Sequence, residues 1–149
     1  MEFIRKYKWL LVVVLVVLAG VFSFFYRMYR NDIKALTDFV VSYEKFDKAI
    51  SDFSIGNTGE SESKAGDALA ELNTKANFRI SSLIRNEKEA MGMARVVANF
   101  SGRELDSLEA YKGAIQSNNA DVDRLAKEYN DLTSRRKAAY ARFRALAGE

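Results

Sequence analysis

The fold is decided first by residues 5–30, which read RKYKWLLVVVLVVLAGVFSFFYRMYR. From Trp9 to Tyr26 the chain carries no charged residue. A helix of that length extends about 27 Å at about 1.5 Å per residue. This is enough for a bilayer core of about 30 Å when flanking side chains reach out to the headgroups. Because no polar face interrupts the run, residues 9–26 are predicted to form a single transmembrane helix.

The flanks of this run favour a retained anchor over a cleaved signal peptide. Trp9 lies at one edge and Phe24, Phe25 and Tyr26 lie at the other, as aromatic belts at membrane interfaces do. A signal peptide needs a small-residue cleavage site after its apolar region, whereas this run ends in bulky aromatic residues. No Cys follows that would allow lipoprotein processing. We therefore expect the segment to stay in the protein, with cleavage as the alternative.

The orientation in the membrane is not fixed by the flanking charges. Three basic residues lie close to the run on each side, so the positive-inside comparison is tied: Arg5, Lys6 and Lys8 precede it, and Arg27, Arg30 and Lys34 follow it. Residues 1–8 form a short basic tail, which favours the cytoplasm, and long domains cross the membrane largely regardless of charge. We expect an N-in orientation with the C-terminal domain outside the cytoplasm.

The residue types that are missing narrow both the fold and the function. The chain contains no Pro, no Cys and no His. Without Pro the commonest helix breaker is absent, which favours an all-α chain. Without His and Cys the chain lacks the usual ligands of zinc and haem, and the usual nucleophiles and bases of covalent catalysis. We therefore expect no cofactor and no enzymatic activity.

The net charge of +3 does not indicate a nucleic-acid partner. Residues 1–30 hold five basic residues and one acidic residue, which leaves 18 basic against 19 acidic residues in the rest of the chain. The excess thus belongs to the membrane flanks, where lipid headgroups account for it. No zinc-finger spacing or RNA-binding aromatic motif accompanies it, so we expect no nucleic-acid partner.

Two segments beyond the anchor carry the 3-4 spacing of a heptad seam. The first seam contains Leu36, Phe39, Tyr43, Phe46, Ile50 and Phe53. The second seam contains Val122, Leu125, Tyr129, Leu132, Arg136, Ala139, Phe143 and Leu146, with Arg136 as its one polar member. The spacing predicts that the anchor continues as an amphipathic helix to about Phe53 and that a last helix begins near Val122.

Three interruptions divide residues 27–149 into a predicted helical bundle. A loop is expected near 54–63, a break near 99–102 and a turn near 117–120. The break rests on Ser101 and Glu104, which fit the capping box that opens a helix. These divisions predict an antiparallel bundle of four helices. A bundle of three helices, in which the second and third run on as one, is the alternative.

Two surfaces are candidates for binding. Small residues let membrane helices approach closely, and the first seam could extend such a contact above the membrane. The predicted partner-docking residues are Gly20, Ser23, Leu36, Phe39, Tyr43 and Phe46. In an up-and-down bundle the last helix returns toward the membrane, where its cations could join those of the anchor on anionic lipid. The predicted lipid contacts are Arg27, Arg30, Lys34, Arg135, Arg136, Lys137, Arg142 and Arg144. The structural alternative is that the cations of the last helix complement its dipole.

These features together predict a non-enzymatic, single-pass membrane protein. The expected role is that of a structural or accessory subunit that packs against other membrane protein subunits or against a second copy. The alternative is a membrane-anchored binding or sensing module that holds a small ligand or peptide between its helices.

Overall fold

The computed structural model describes residues 2–56, 59–81, 84 and 86–148, with side chains described for residues 9 and 10 and from residue 12 onward. Four helices account for almost all of these residues: α1 (Glu2–Ile55), α2 (Gly59–Lys75), α3 (Glu87–Gln116) and α4 (Val122–Ala147). No strand occurs within the described ranges. The prediction of an all-α chain with four helices is confirmed.

Helix α1 is one uninterrupted helix of 54 residues. Its described side chains from Trp9 to Asn31 are exposed, except for the half-buried Met28. From Asp32 onward, one face of the same helix is buried. Among the described residues, α1 is the one helix long and apolar enough to cross a membrane, and none of its most apolar window is buried.

We call residues 9–31 the lower half of α1 and residues 32–55 the upper half. Helix α2 packs along the upper half in the opposite direction. Lys75 at the end of α2 pairs with Asp38 at 3.1 Å, whereas Lys45, one heptad farther along α1, pairs with Glu71. Residue numbers therefore rise along α1 while they fall along α2. The short connection between Ile55 and Gly59 requires this reversal.

Helices α3 and α4 form a second hairpin, and α4 also runs opposite to α1. The Phe143 ring lies 4.7 Å from the Phe39 ring between centroids, and Tyr140 stacks on Tyr43 at 3.5 Å. Helix α4 ends at Ala147 and is capped by Gly148, whose φ of 86° lets its amide donate to the Arg144 carbonyl. This left-handed cap favours glycine.

The two seams form part of the core, together with buried residues of α2 and α3 such as Leu72, Val97 and Leu108. All six apolar seam residues of α1, from Leu36 to Phe53, are at most 6 % exposed. The seam of α4 contributes Leu132, Arg136, Ala139 and Phe143 as buried residues. Its upper members Leu125 and Tyr129 are half-buried. The bundle therefore covers its own apolar stripes.

The predicted break near 99–102 is wrong, because α3 passes through it without interruption. The Ser101 hydroxyl donates to the Val97 carbonyl one turn earlier, at 2.9 Å. The Glu104 carboxylate binds Arg136 on α4 instead of a backbone amide. The two residues of the expected capping box are thus used elsewhere.

The interruption between the second and third helices lies at residues 76–86 instead. Phe78 packs against Phe39 with ring centroids 6.0 Å apart, and the Ser81 hydroxyl donates to the Asp32 carboxylate. Both contacts join residues far apart in sequence, and Asn86, with a φ of 64°, lies in the left-handed region directly before α3. Residues 87–116 form the continuous rod of the three-helix alternative, but the break at 76–86 keeps the number at four.

The other two connections lie where interruptions were expected, with different limits. Helix α1 continues to Ile55 and α2 begins at Gly59, so most of the predicted 54–63 loop is helical. Helix α3 ends at Gln116 and α4 begins at Val122, on either side of residues 117–120.

Candidate functional site: a buried ion cluster and an exposed helix face

Arg136, the polar member of the α4 seam, forms the centre of a buried ion cluster. Its side chain is 1 % exposed, and its Nη2 donates to Asp47 of α1 at 2.6 Å. Its Nε donates to Glu104 of α3, whose side chain is also 1 % exposed. The Thr133 hydroxyl donates to the same Glu104 carboxylate at 2.7 Å. The cluster therefore ties α4 to both α1 and α3.

Aromatic rings surround the guanidinium of Arg136. Its central carbon lies 5.1 Å from the ring centroid of Tyr43 and 5.5 Å from that of Phe46. Both distances suit a cation–π attraction, which strengthens when water is excluded. These rings pack against the guanidinium from the α1 side.

The surroundings of Arg136 and Tyr43 set the protonation states of these two groups. Burial opposes the charged form of Arg136, but Glu104 and then Tyr43 and Asp47 outweigh it, so the pKa of Arg136 is raised. Burial also raises the pKa of the Tyr43 phenol, although Arg136 acts in the opposite direction. Arg136 therefore stays a cation and Tyr43 stays neutral near pH 7. Neither group is suited to exchange protons in catalysis.

The arrangement is suited to fixing the fold. Arg136 meets two carboxylates, of which Glu104 is buried and Asp47 keeps 45 % of its side chain exposed, and the Nη1 of Arg136 has no hydrogen-bond partner among the described residues. Replacing a buried ion cluster by apolar residues often leaves a protein equally or more stable, so such a cluster is weak evidence for a stability role. A polar residue in a heptad seam instead specifies register at a cost in stability. We infer that Arg136 fixes how α4 aligns with α1 and α3.

A small cleft lies next to the cluster. Its volume is about 140 Å³, below the usual range of about 300–1,000 Å³ for ligand pockets. Its lining combines hydroxyl groups and charged groups: Ser51, Ser54, Tyr129, Thr133, Lys137, Asp47, Glu104 and Arg136, with Ile50. Burial raises the pKa of Tyr129, so this phenol too is neutral at pH 7. The cleft has room for a few water molecules.

A larger groove of about 590 Å³ separates the upper parts of α1 and α2. Small side chains form its floor, namely Ala49 and Ala68, and charged residues of both signs form its walls. The wall residue Lys64 pairs with Glu60 at 2.6 Å, in an exposed pair within one helix. With no excess of either charge, the groove shows no preference for an anion or a cation.

The predicted lipid contact is wrong for Arg136, and the structure places the other α4 cations away from those of α1. Arg136 is buried, and Arg135 pairs with Asp131 at 2.9 Å. Because Arg136 lies opposite Asp47, residues 135–137 stand about 30 Å above Tyr26 along α1, at about 1.5 Å per residue. Arg142 and Arg144 flank Phe143, which lies opposite Phe39, about 20 Å above Tyr26. With the edge of the bilayer core at Tyr26, as the sequence predicts, all five would lie above the headgroup layer, which adds about 5–8 Å to each side of the core.

The α1 residues of that cluster are differently placed. Arg27, Arg30 and Lys34 are exposed and lie within eight residues of the end of the apolar run. They follow Ser23 by four, seven and eleven residues, so all four share one face of the helix. The buried face of α1 points the other way. Three of the eight predicted lipid contacts therefore lie close to the apolar run of α1.

The predicted docking surface is also corrected. Leu36, Phe39, Tyr43 and Phe46 are buried within the bundle, so they are not available to a partner. Gly20 and Ser23 remain exposed. A Cβ atom at Gly20 would have no neighbour within 4 Å.

The sequence analysis did not identify an exposed stripe on α1 that lies beside the basic face. Ile33 and Val41 are 42 % and 54 % exposed, and Thr37 between them is exposed as well. The signal is the spacing of four residues between them, which places all three on one face, away from the seam. This stripe borders the face of Arg30 and Lys34.

Among the described residues, no group of three or more acidic, His or Cys side chains is arranged to hold a metal ion. Comparison of the chain with protein-family models, with curated proteins and with solved structures finds no match. The functional reading therefore rests on the residues and their geometry.

Proposed function

We propose that this chain is a non-enzymatic, single-pass membrane protein that serves as a structural or accessory subunit of a membrane-associated assembly. Its lower α1 segment crosses the bilayer and contacts a membrane partner. Its bundle is held outside the cytoplasm, in an N-in orientation.

One observation carries this proposal: the contrast between a closed bundle and an uncovered helix that share α1. The bundle buries the α1 seam and the middle of the α4 seam by itself, with Phe39, Phe46 and Phe143 at 0 % exposure. The apolar residues of lower α1 have no cover from the described chain; Phe22, for example, is 75 % exposed. Apolar surface on this scale needs lipid or protein around it. Contact with lipid and with a partner is the role that best fits lower α1.

Gly20 offers a direct test. Replacing Gly20 by Leu adds bulk where small residues would let a partner helix approach closely. We expect the Gly20→Leu chain, purified in mild detergent, to lose a stoichiometric partner that the original chain retains. Helicity by circular dichroism and membrane insertion should be unchanged.

A matched control lies one residue away. Val21 points about 100° from Gly20 around the helix, so Val21→Leu introduces the same side chain on another face. Loss of the partner in both variants would indicate general damage to the span. If the original chain purifies in mild detergent as a monomer, and cross-linking in native membranes also finds no partner, the accessory role fails.

The alternative role is a binding or sensing module, for which the groove between α1 and α2 is the relevant feature. Its volume of about 590 Å³ is in the range of small-molecule sites. A monomer that co-purifies with a bound small molecule or peptide, lost on Ala68→Leu in the groove floor, would favour this role.

A further inference from the structure

We propose that one exposed face of α1 binds a helix of a partner membrane protein that carries acidic residues in the first turns beyond its own span. We call this surface the outer face of α1; it consists of Arg27, Arg30, Ile33, Lys34, Thr37 and Val41. The inference rests on the proposed accessory function and adds the chemistry of the partner.

The outer face is rigid and uncovered by the bundle. It belongs to the continuous helix that joins the apolar segment to the core, so its orientation is fixed relative to both. The Thr37 hydroxyl donates to the Ile33 carbonyl of its own helix at 2.9 Å. Ile33 and Val41 keep 42 % and 54 % of their surface exposed. Apolar side chains in this pattern form a docking stripe for another helix.

The positive charges of the outer face have no counterions in the described part of the chain. None of the ion pairs there involves Arg27, Arg30 or Lys34. Asp32 is the acid nearest in sequence, but it is buried on the opposite side and accepts a hydrogen bond from Ser81. The next acid, Asp38, pairs with Lys75.

This charge pattern disfavours a second copy of the chain as the occupant. Two copies packed in parallel through their outer faces would place six cations side by side in two short segments. Like charges in register across a helix interface destabilise it, whereas opposite charges select the partner and its orientation. An acidic partner helix provides the complement that a second copy lacks.

Anionic lipid explains only the lowest part of the outer face. Arg27 and Arg30 lie within four residues of Tyr26, at the level of headgroups. Ile33 and Val41 lie about 10 Å and 22 Å above Tyr26, at about 1.5 Å per residue. The headgroup layer extends only about 5–8 Å beyond the bilayer core. Exposed apolar side chains above that layer fit a protein surface and are not explained by lipid.

The experiment uses site-specific cross-linking of the full chain in its native membranes. The chain contains no Cys, so a Thr37→Cys variant carries a single thiol to which a photoactivatable cross-linker can be attached. The control is Ser134→Cys, an exposed hydroxyl position on α4, far from the outer face. We expect an adduct with a membrane protein from residue 37 and none from residue 134. The cross-linked peptide should lie directly beyond a span and contain acidic residues.

Charge reversal completes the test. Arg30→Glu with Lys34→Glu should lower the adduct yield at least tenfold, while Arg30→Lys with Lys34→Arg should retain it. An adduct between two copies, an adduct with lipid alone, or a yield unchanged by charge reversal would overturn this inference. If a partner is retained and sensitive to Gly20→Leu but fails these tests, the accessory function stands and only the acidic-partner inference falls. If no partner is found by either method, both fall.

Discussion

The two halves of α1 place similar apolar side chains in opposite surroundings. In the lower half Phe22 is 75 % exposed, and in the upper half Phe46 is 0 % exposed. No break in the helix separates them. The lower half is apolar on every face, whereas the upper half confines its apolar residues to a 3-4 stripe. The pattern around the helix therefore decides whether lipid or protein covers it.

The two halves of α1 also need different surroundings. The upper half has a specific complement, with Phe143 and Tyr140 of α4 against Phe39 and Tyr43. The lower half requires only an apolar medium, apart from its small residues and the cations of the outer face. Substitutions should therefore act through packing in one half and through insertion or partner contact in the other.

The largest effect should come from charge in the lower half. Replacing Val14 and Leu15 by Arg should block insertion, because each charge at mid-span costs about 2.5–3.5 kcal/mol on insertion scales. Extraction of membranes at alkaline pH should release the double variant and retain the original chain. The control is Val41→Arg in the upper half, where the added charge lies outside the bilayer. A mature N-terminus near Phe24 would instead show that the segment is a cleaved signal peptide.

A truncated aromatic side chain should distinguish the halves next. Phe46→Ala removes a fully buried ring and should lower the free energy of unfolding by about 3–5 kcal/mol. Phe22→Ala makes the same chemical change at an exposed position and should stay within about 0.5 kcal/mol. Chemical unfolding of the full chain in mild detergent, followed by circular dichroism, measures both. Equal effects would mean that the upper seam is not a packed core.

The ion cluster that packs against the upper half should respond to substitution differently from the apolar seam. Arg136→Met leaves the buried Glu104 without its cation and should cost about 3 kcal/mol of unfolding free energy, the lower end of the range for broken buried pairs. The double variant Arg136→Met with Glu104→Met should recover most of that loss. If Arg136 fixes register, the double variant should also show more than one α1–α4 spacing by spin-label distance measurement. A single, unchanged spacing would refute that role.

The smallest effect is expected at the polar surface far from the membrane. Partial burial, with Glu62 and Asp106 nearby, raises the pKa of Glu109. A carboxyl whose pKa is raised on folding binds more protons in the folded state, so its penalty is present at neutral pH and is relieved as the pH falls through its titration range. Glu109→Gln should therefore stabilise the chain slightly at pH 7 and have no effect near pH 3. A larger gain at pH 3 than at pH 7 would contradict this assignment.

Local spacing was sufficient to identify the elements whose environment is set along one helix. The uncharged run from Trp9 to Tyr26, the α1 seam and the α4 seam all depend on a repeat that a single helix displays by itself. Hence the all-α fold, the buried face of upper α1 and the place of Arg136 as the one polar residue of the α4 seam could all be predicted.

Tertiary structure decided where the helices end and where the charged side chains lie. Ser101 and Glu104 match a local capping signal. In the fold, however, Glu104 pairs with the buried cation Arg136, 32 residues away, and this ion pair replaces the expected bond to a backbone amide. The actual break at 76–86 depends on contacts of Phe78 and Ser81 with α1. The distance of the α4 cations from the apolar run of α1 likewise follows from the register of Phe143 on Phe39. Periodicity reports which face of a helix is apolar; the partner of that face, and its level along the bundle, depend on contacts between distant residues.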